Sequence, residues 1–183
     1  MIFSIGIQDG KLSGFSKPTS DTSLAGIWKL TKDEQDCYWN LKADGKGTFH
    51  TLGASVAFEF TVTEDKKIDG VPYTISEDAL TLSSEYVNVT LEKVTSVTVG
   101  SGAGGDARLH GAWKMTQGGQ TTTYTFNANG TWVQEPGSYS GIWKTDGSNL
   151  SIYSPSFDPS PNVVDYTVSG STLTINGWVV YTR

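Results

Sequence analysis

The sequence predicts an all-β protein made of two tandem small antiparallel meander β-barrels, and three observations carry that prediction. First, the chain repeats itself: Leu24-Ala25-Gly26-Ile27-Trp28-Lys29-Leu30-Thr31 lies over Leu109-His110-Gly111-Ala112-Trp113-Lys114-Met115-Thr116 at an offset of 85 residues. Self-similarity at a fixed period marks a duplicated unit. Second, short runs such as Val87-Asn88-Val89-Thr90-Leu91 and Tyr124-Thr125-Phe126 alternate apolar and polar residues, the period of a strand with one face inward. Third, no segment sustains the 3.6-residue apolar period of an amphipathic helix.

The elements follow in order. The offset of 85 also carries Leu41-Lys42-Ala43-Asp44-Gly45 onto Phe126-Asn127-Ala128-Asn129-Gly130 and sets Phe58 on Trp143. Asp44-Gly45 and Asn129-Gly130 read as hairpin turns of type I′, whose central residues take positive φ. Farther on, Tyr73-Thr74-Ile75-Ser76 with Leu80-Thr81-Leu82 matches Tyr166-Thr167-Val168-Ser169 with Leu173-Thr174-Ile175 at an offset of 93, so copy two holds eight extra residues. They fall between Trp143 and Tyr166, where Asn149–Tyr153 reads as an additional strand and Pro155, Pro159 and Pro161 mark the loop after it. Copy two thereby reaches about eight strands, and an even meander of that length closes and removes its own edges. The resulting organisation is an N-terminal tether over 1–23, module 1 over 24–95, a Gly/Ser linker over 96–107 and module 2 over 108–183. Gly100-Ser101-Gly102-Ala103-Gly104-Gly105 formally contains GxGxxG, but a dinucleotide fingerprint needs a following helix. The second Gly-x-Trp strand follows instead, so the segment reads as a flexible linker.

Composition narrows the chemistry. Of the 183 residues 37% are hydrophobic and 11% aromatic, enough for a packed core, while only 17% are charged. Thr, Ser, Asn and Gly carry the surface, a balance associated with exported β-proteins, and we expect an extracellular or cell-envelope location. Met1–Ile7 is apolar but lacks a basic n-region and does not read as a signal peptide. The net charge of -6 and isoelectric point near 4.8 argue against nucleic acid and anionic membranes, which need clustered Lys and Arg. No apolar run is long enough for a transmembrane helix.

Candidate catalytic and metal chemistry is sparse. Cys37 is the sole cysteine, which excludes an intrachain disulfide and reads as a small buried hydrophobe. His50 and His110 have no ligand spacing, no acidic cluster joins them, and nucleophile motifs such as GxSxG are absent. The acidic runs at Asp33–Asp36, Glu64-Asp65 and Glu77-Asp78 fall at expected turns. We expect a non-enzymatic protein with no cofactor and no metal.

A Gly-x-Trp on the first strand, a strand meander and a basic residue near the last strand's end resemble the lipocalin-like superfamily of small bacterial barrels. That resemblance implies that the tryptophan plugs one barrel end while the terminal cation packs across its indole, a cation-π contact. By resemblance the barrel-closing residues are Gly26, Trp28 and Lys93 in copy one and Gly111, Trp113 and Arg183 in copy two. The surplus aromatics, Trp39 and Trp178 beside Tyr124, Phe126, Trp132, Trp143 and Tyr153, read either as core or as an apolar cup or sugar-stacking platform. The last five are the candidate ligand-binding residues. The expected function is binding of a small apolar or amphipathic molecule; the alternatives are a protein-binding module such as a protease inhibitor, or a surface carbohydrate binder. Partner identity and oligomeric state stay open at this stage.

Overall fold

Strands with alternating faces, joined by turns that demand positive φ, build nearly all of the regular structure. The computed structural model describes residues 7–8, 11–12 and 18–183 other than Ser138 and Pro159. A hairpin of β1 (Ile7–Gln8) and β2 (Lys11–Leu12) precedes two units. The first holds β3 (Pro18–Thr19), the 3-10 turn η1 (Thr22–Leu24), β4 (Gly26–Lys32), β5 (Gln35–Leu41), β6 (Lys46–Thr51) and β7 (Ala54–Glu59). It continues through β8 (Val62–Thr63), β9 (Lys67–Ile68), β10 (Val71–Ser76), β11 (Ala79–Ser83) and β12 (Asn88–Val94). The second holds η2 (Ala107–Leu109), β13 (Gly111–Gln117), β14 (Gln120–Phe126), β15 (Thr131–Glu135) and β16 (Tyr139–Asp146). It ends with β17 (Asn149–Tyr153), β18 (Asn162–Ser169), β19 (Thr172–Ile175) and β20 (Val179–Thr182).

The second unit is a closed eight-stranded antiparallel barrel, β13 through β20, whereas the first is a ten-stranded sheet in the order β3-β8-β9-β10-β11-β12-β4-β5-β6-β7. The reading of two barrels is therefore corrected for copy one, and the cause is the length difference between the copies. In copy two, β17 pairs with β16 through Ile142↔Tyr153 and with β18 through Ile152↔Asn162, which closes the ring. Copy one has only the two-residue strands β8 and β9 in that place; they reach β10 but do not pair with β7. The sheet curls, because β12 pairs β4, yet β7 remains an edge.

The turns differ from expectation in one respect. At Asp44-Gly45 and Asn129-Gly130 only the glycine takes positive φ, +80° and +79°, and the Gly45 and Gly130 N–H groups donate to Lys42 and Asn127 carbonyls. These are type I turns followed by a left-handed glycine. The true I′ signature, positive φ at both central residues, lies between β4 and β5 and between β13 and β14: Asp33 (+50°) and Glu34 (+62°), then Gly118 (+59°) and Gly119 (+79°).

The core is split but continuous across the units. Trp113, Phe126, Trp143, Leu150, Tyr166 and Leu173 fill the closed barrel. The first unit's core contains Trp28, Trp39, Phe49, Leu80 and Leu91, and it is completed by Ile142 and Tyr153, which belong to the second unit. Alternation explains this: Trp143 points into its own barrel, so Ile142 beside it points out, toward the open side of the first sheet.

Residues expected to be loose segments join the fold. Of the tether expected over 1–23, residues 1–6, 9–10 and 13–17 lie outside the described residues, but Pro18–Thr19 pairs with β8. In the linker, the Ala103 N–H donates to the Leu52 carbonyl at 2.9 Å and the Gly104 N–H to the Trp143 carbonyl at 2.6 Å, while Thr145 returns a bond to the Gly104 carbonyl. The glycine-rich segment expected to be flexible is thus stitched to both units.

Candidate functional site

Each unit seals one end with the same device. Asp21 and Asp106 cap η1 and η2 by accepting from the Ser23 and Arg108 backbone N–H groups. The turns then present the Leu24 and Leu109 carbonyls, which accept the Trp28 and Trp113 indole N–H at 2.8 and 2.7 Å. Lys93 Nζ lies 5.2 Å from the Trp28 ring centre, and the Arg183 guanidinium carbon 4.2 Å from that of Trp113. Arg183 also donates to the Arg108 and His110 carbonyls. Tyr73 and Tyr166 each donate a hydroxyl to the capping aspartate, at 2.6 and 3.0 Å.

The aspartates are ionised. Burial alone raises the Asp21 carboxyl, but hydrogen bonds from Lys66, Ser23 and Tyr73 outweigh it and hold the group far below the carboxylate range. Asp106, bonded to the Arg108 guanidinium and also to Tyr166, is lowered to about 2. Sequence reading left these aspartates in the tether and linker. The signal was present, because Asp21 and Asp106 keep the offset of 85 that relates the two Trp residues.

The five candidate ligand residues separate. Phe126 and Trp143 are buried edge-to-face partners 5.6 Å apart inside the barrel, and the Trp143 indole N–H bonds the Thr131 carbonyl. Tyr124 packs on Trp132 and Tyr181 in the same interior. Tyr153 points the other way, into the first unit's core. Trp39, also buried, stacks on Phe157 at 5.7 Å and donates to the Pro155 carbonyl; Trp178 is 77% exposed. Among the candidates only Trp132 lines the cleft described next.

A cleft of about 1120 Å³ lies where the two units meet. One wall is the free-edge region of the first sheet, with Lys46 and Thr48 of β6 and Phe58 and Glu59 of β7. The opposite wall is Trp132 and Gln134 of β15 and Tyr139 and Ser140 of β16. The loop after β17 forms the remaining side through Ser154, Ser156 and Phe157. Ser140 Oγ donates to the Ala57 carbonyl at 3.4 Å, joining the two walls at one point. Tyr139 is 63% exposed, and Gly137 at the preceding turn leaves room for its ring.

Beneath the wall, Trp132 is 6% exposed, and its Nε1 is a buried donor without a hydrogen-bond partner. The indole lies over Gly141, where a Cβ would meet both Trp132 Nε1 and the Tyr153 carbonyl. Tyr139 and Phe157 had been missed as site residues; they stand in the β15–β16 turn region and in the copy-two insertion loop.

Reactive groups are quiet. Cys37 is buried, and burial pushes its thiol up to about 11, so it stays protonated at neutral pH. Burial lowers His50, while His110 lies edge-on to Trp143. Among the described residues no group of His, Cys, Asp and Glu is arranged to hold a metal ion, and no helix is long and apolar enough to cross a membrane.

What fold and cleft define is an all-β chain in which a closed barrel completes an open sheet and leaves a mixed aromatic and polar groove between them. No protein-family model and no curated protein matches the chain. Among solved structures, a similar chain is the β subunit of DNA polymerase III from Thermotoga maritima, 12% identical with a TM-score of 0.16, covering 88% of this chain and 56% of that one. A likeness of that size carries no argument about fold or function.

Proposed function

We propose that the chain is a non-catalytic binding protein of the bacterial cell envelope or extracellular space, and that its ligand lies between the units, outside both β-structures. The two units are read as diverged copies of one lipocalin-like module, supported by the duplicated Asp-capped turn, indole bond and stacked cation. The observation that carries the binding site is the cleft, whose aromatic and hydrogen-bonding surface suits an amphipathic ligand. The barrel interior is instead occupied by Trp113, Phe126 and Trp143.

The test is titration with laurate, soluble hexasaccharides and an unstructured peptide, read by tryptophan fluorescence and melting temperature, in the native chain and in Phe58→Ser and Tyr139→Ser. At least one class binds, and both variants weaken it. Binding insensitive to the cleft variants but lost in Tyr124→Ala and Tyr181→Ala, at the barrel interior, overturns the placement. No binding by any class overturns the reading.

A further inference from the structure

We infer that the cleft takes an oligosaccharide, a chain of pyranose rings, an inference that rests on the cleft being the binding site. The composition of the walls selects among ligand classes. Their apolar surface is mainly aromatic, from Phe58, Trp132, Tyr139 and Phe157; among the described residues no Leu, Ile or Val lines the cleft. An acyl chain needs a continuous enclosed aliphatic wall, whereas flat rings offer the π faces on which the C–H faces of a sugar lie.

Polar groups alternate with those rings. The hydroxyls of Thr48, Ser140, Ser154 and Ser156 and the Gln134 amide stand in the same walls. Hydroxyls donate and accept, and an amide presents both functions side by side, which matches a ligand whose rim is hydroxyl groups on every ring. Charges of both signs, Lys42 and Lys46 against Glu59 and Asp69, leave no field for a polyanion. The volume of about 1120 Å³ exceeds the roughly 300–1000 Å³ usual for a single small molecule. An oligomer, with rings laid along Phe58, Tyr139 and Phe157, which keep exposed surface, uses that length.

Trp132 supplies the second observation. Its Nε1 is buried and unpartnered, and a buried donor without an acceptor is a rare and costly state. This Nε1 lies against Gly141, close to the Tyr153 carbonyl at the end of β17, and a ligand ring or hydroxyl oxygen that reaches that position gives it an acceptor. The free chain thus keeps a donor in reserve for a ligand rich in oxygen.

The experiment uses the full chain with cellohexaose, maltohexaose, chitohexaose, xylohexaose and glucose, followed by calorimetry and tryptophan fluorescence, with laurate and an unstructured peptide alongside. One hexasaccharide binds, its affinity falls steeply as the chain shortens, and glucose is at least 100-fold weaker. Tyr139→Ala weakens binding about tenfold, and so does Trp132→Phe, which keeps a ring but removes the N–H. Circular dichroism checks that both variants fold. Raising salt from 50 to 500 mM changes affinity less than threefold.

If no sugar binds while laurate or the peptide binds and responds to Tyr139→Ala, the sugar assignment is wrong and the cleft remains the site. If a hexasaccharide binds but ignores Tyr139→Ala and Phe58→Ser, the sugar belongs elsewhere and this inference fails. If none of the probes binds, both readings fail together.

Discussion

Truncating Ile142 to alanine probes the way the second unit completes the first. Its side chain is wholly buried and belongs to the first unit's core, although β16 is a strand of the second unit's barrel. The substitution deletes three carbons, about 2.4 kcal/mol at roughly 0.8 kcal/mol each. Incomplete collapse of the cavity adds to that, so the intact chain should lose about 3 kcal/mol. In an excised barrel spanning residues 96–183 the same position is on the outer surface, and the substitution should cost less than about 0.5 kcal/mol. Urea unfolding followed by tryptophan fluorescence and circular dichroism measures both values. The intact chain should unfold in one transition, since the first unit's core is completed by Ile142 and Tyr153 of the second. Equal losses in the intact chain and the excised barrel, or failure of the barrel to unfold cooperatively, would refute the reasoning.

The remaining expectations concern the sealed ends, a turn and a glycine. Asp106→Asn should remove on the order of 2 kcal/mol at neutral pH. Because the folded pKa of Asp106 is depressed to about 2 and that of Asp21 is also depressed, their stabilisation is full above the unfolded value near 4 and fades as pH falls through the folded values; urea midpoints between pH 7 and pH 2 measure it. Arg183→Ala should cost about 1 kcal/mol and Lys93→Ala less, because the lysine is both farther from its indole and unable to stack as a plane; melting curves of the two variants give the ranking. Replacing Asp33-Glu34 by Asn-Gly relieves two left-handed non-glycine residues and should raise stability by about 0.5–1 kcal/mol, visible as a higher urea midpoint with an unchanged slope. Gly141→Ala should destabilise by about 2 kcal/mol or more, since the new Cβ meets the Tyr153 backbone, which has no rotamer to move; a melting temperature equal to that of the native chain would count against the close approach.

The sequence made the duplication and strand pattern legible because both are local and periodic. An offset read from Trp28 and Trp113 needs no tertiary information, and the extra strand at Asn149–Tyr153 announced itself as the difference between two offsets. The destination of outward-facing residues was hidden. Alternation says that Ile142 and Tyr153 face opposite to Trp143, but whether that side meets water or another unit depends on whether the first sheet closes. The site was hidden for the same reason: aromatics chosen by abundance fell mainly in cores, while Tyr139 and Phe157, isolated in turn and loop, lie on the cleft. The turns show a narrower miss. Asp-Gly and Asn-Gly fit I′ geometry, but hairpin loop length selects the turn, and here it selects type I with a left-handed glycine.

The copies differ where copy two has β17 and copy one has only the two-residue strands β8 and β9, and the interface depends on that difference. Two closed barrels would meet through convex polar surfaces and leave shallow contact. Because β7 pairs with β6 on one side only and ends the first sheet, that unit exposes an edge and part of its core, which is a hazard for a lone domain. The second unit covers the gap with Ile142, Tyr153 and Phe157, and the linker bridges to β16 at Gly104 and Lys144, beyond the stretch of β16 that pairs with β15. Coverage is incomplete at the cleft, whose two walls Ser140 and Ala57 join. The cleft is the uncovered remainder of that join, so its shape is set by the length of the β17 insertion. Shortening the 154–161 loop should therefore alter ligand binding before it alters the barrel, whose ring closes through β17 and β18 without it.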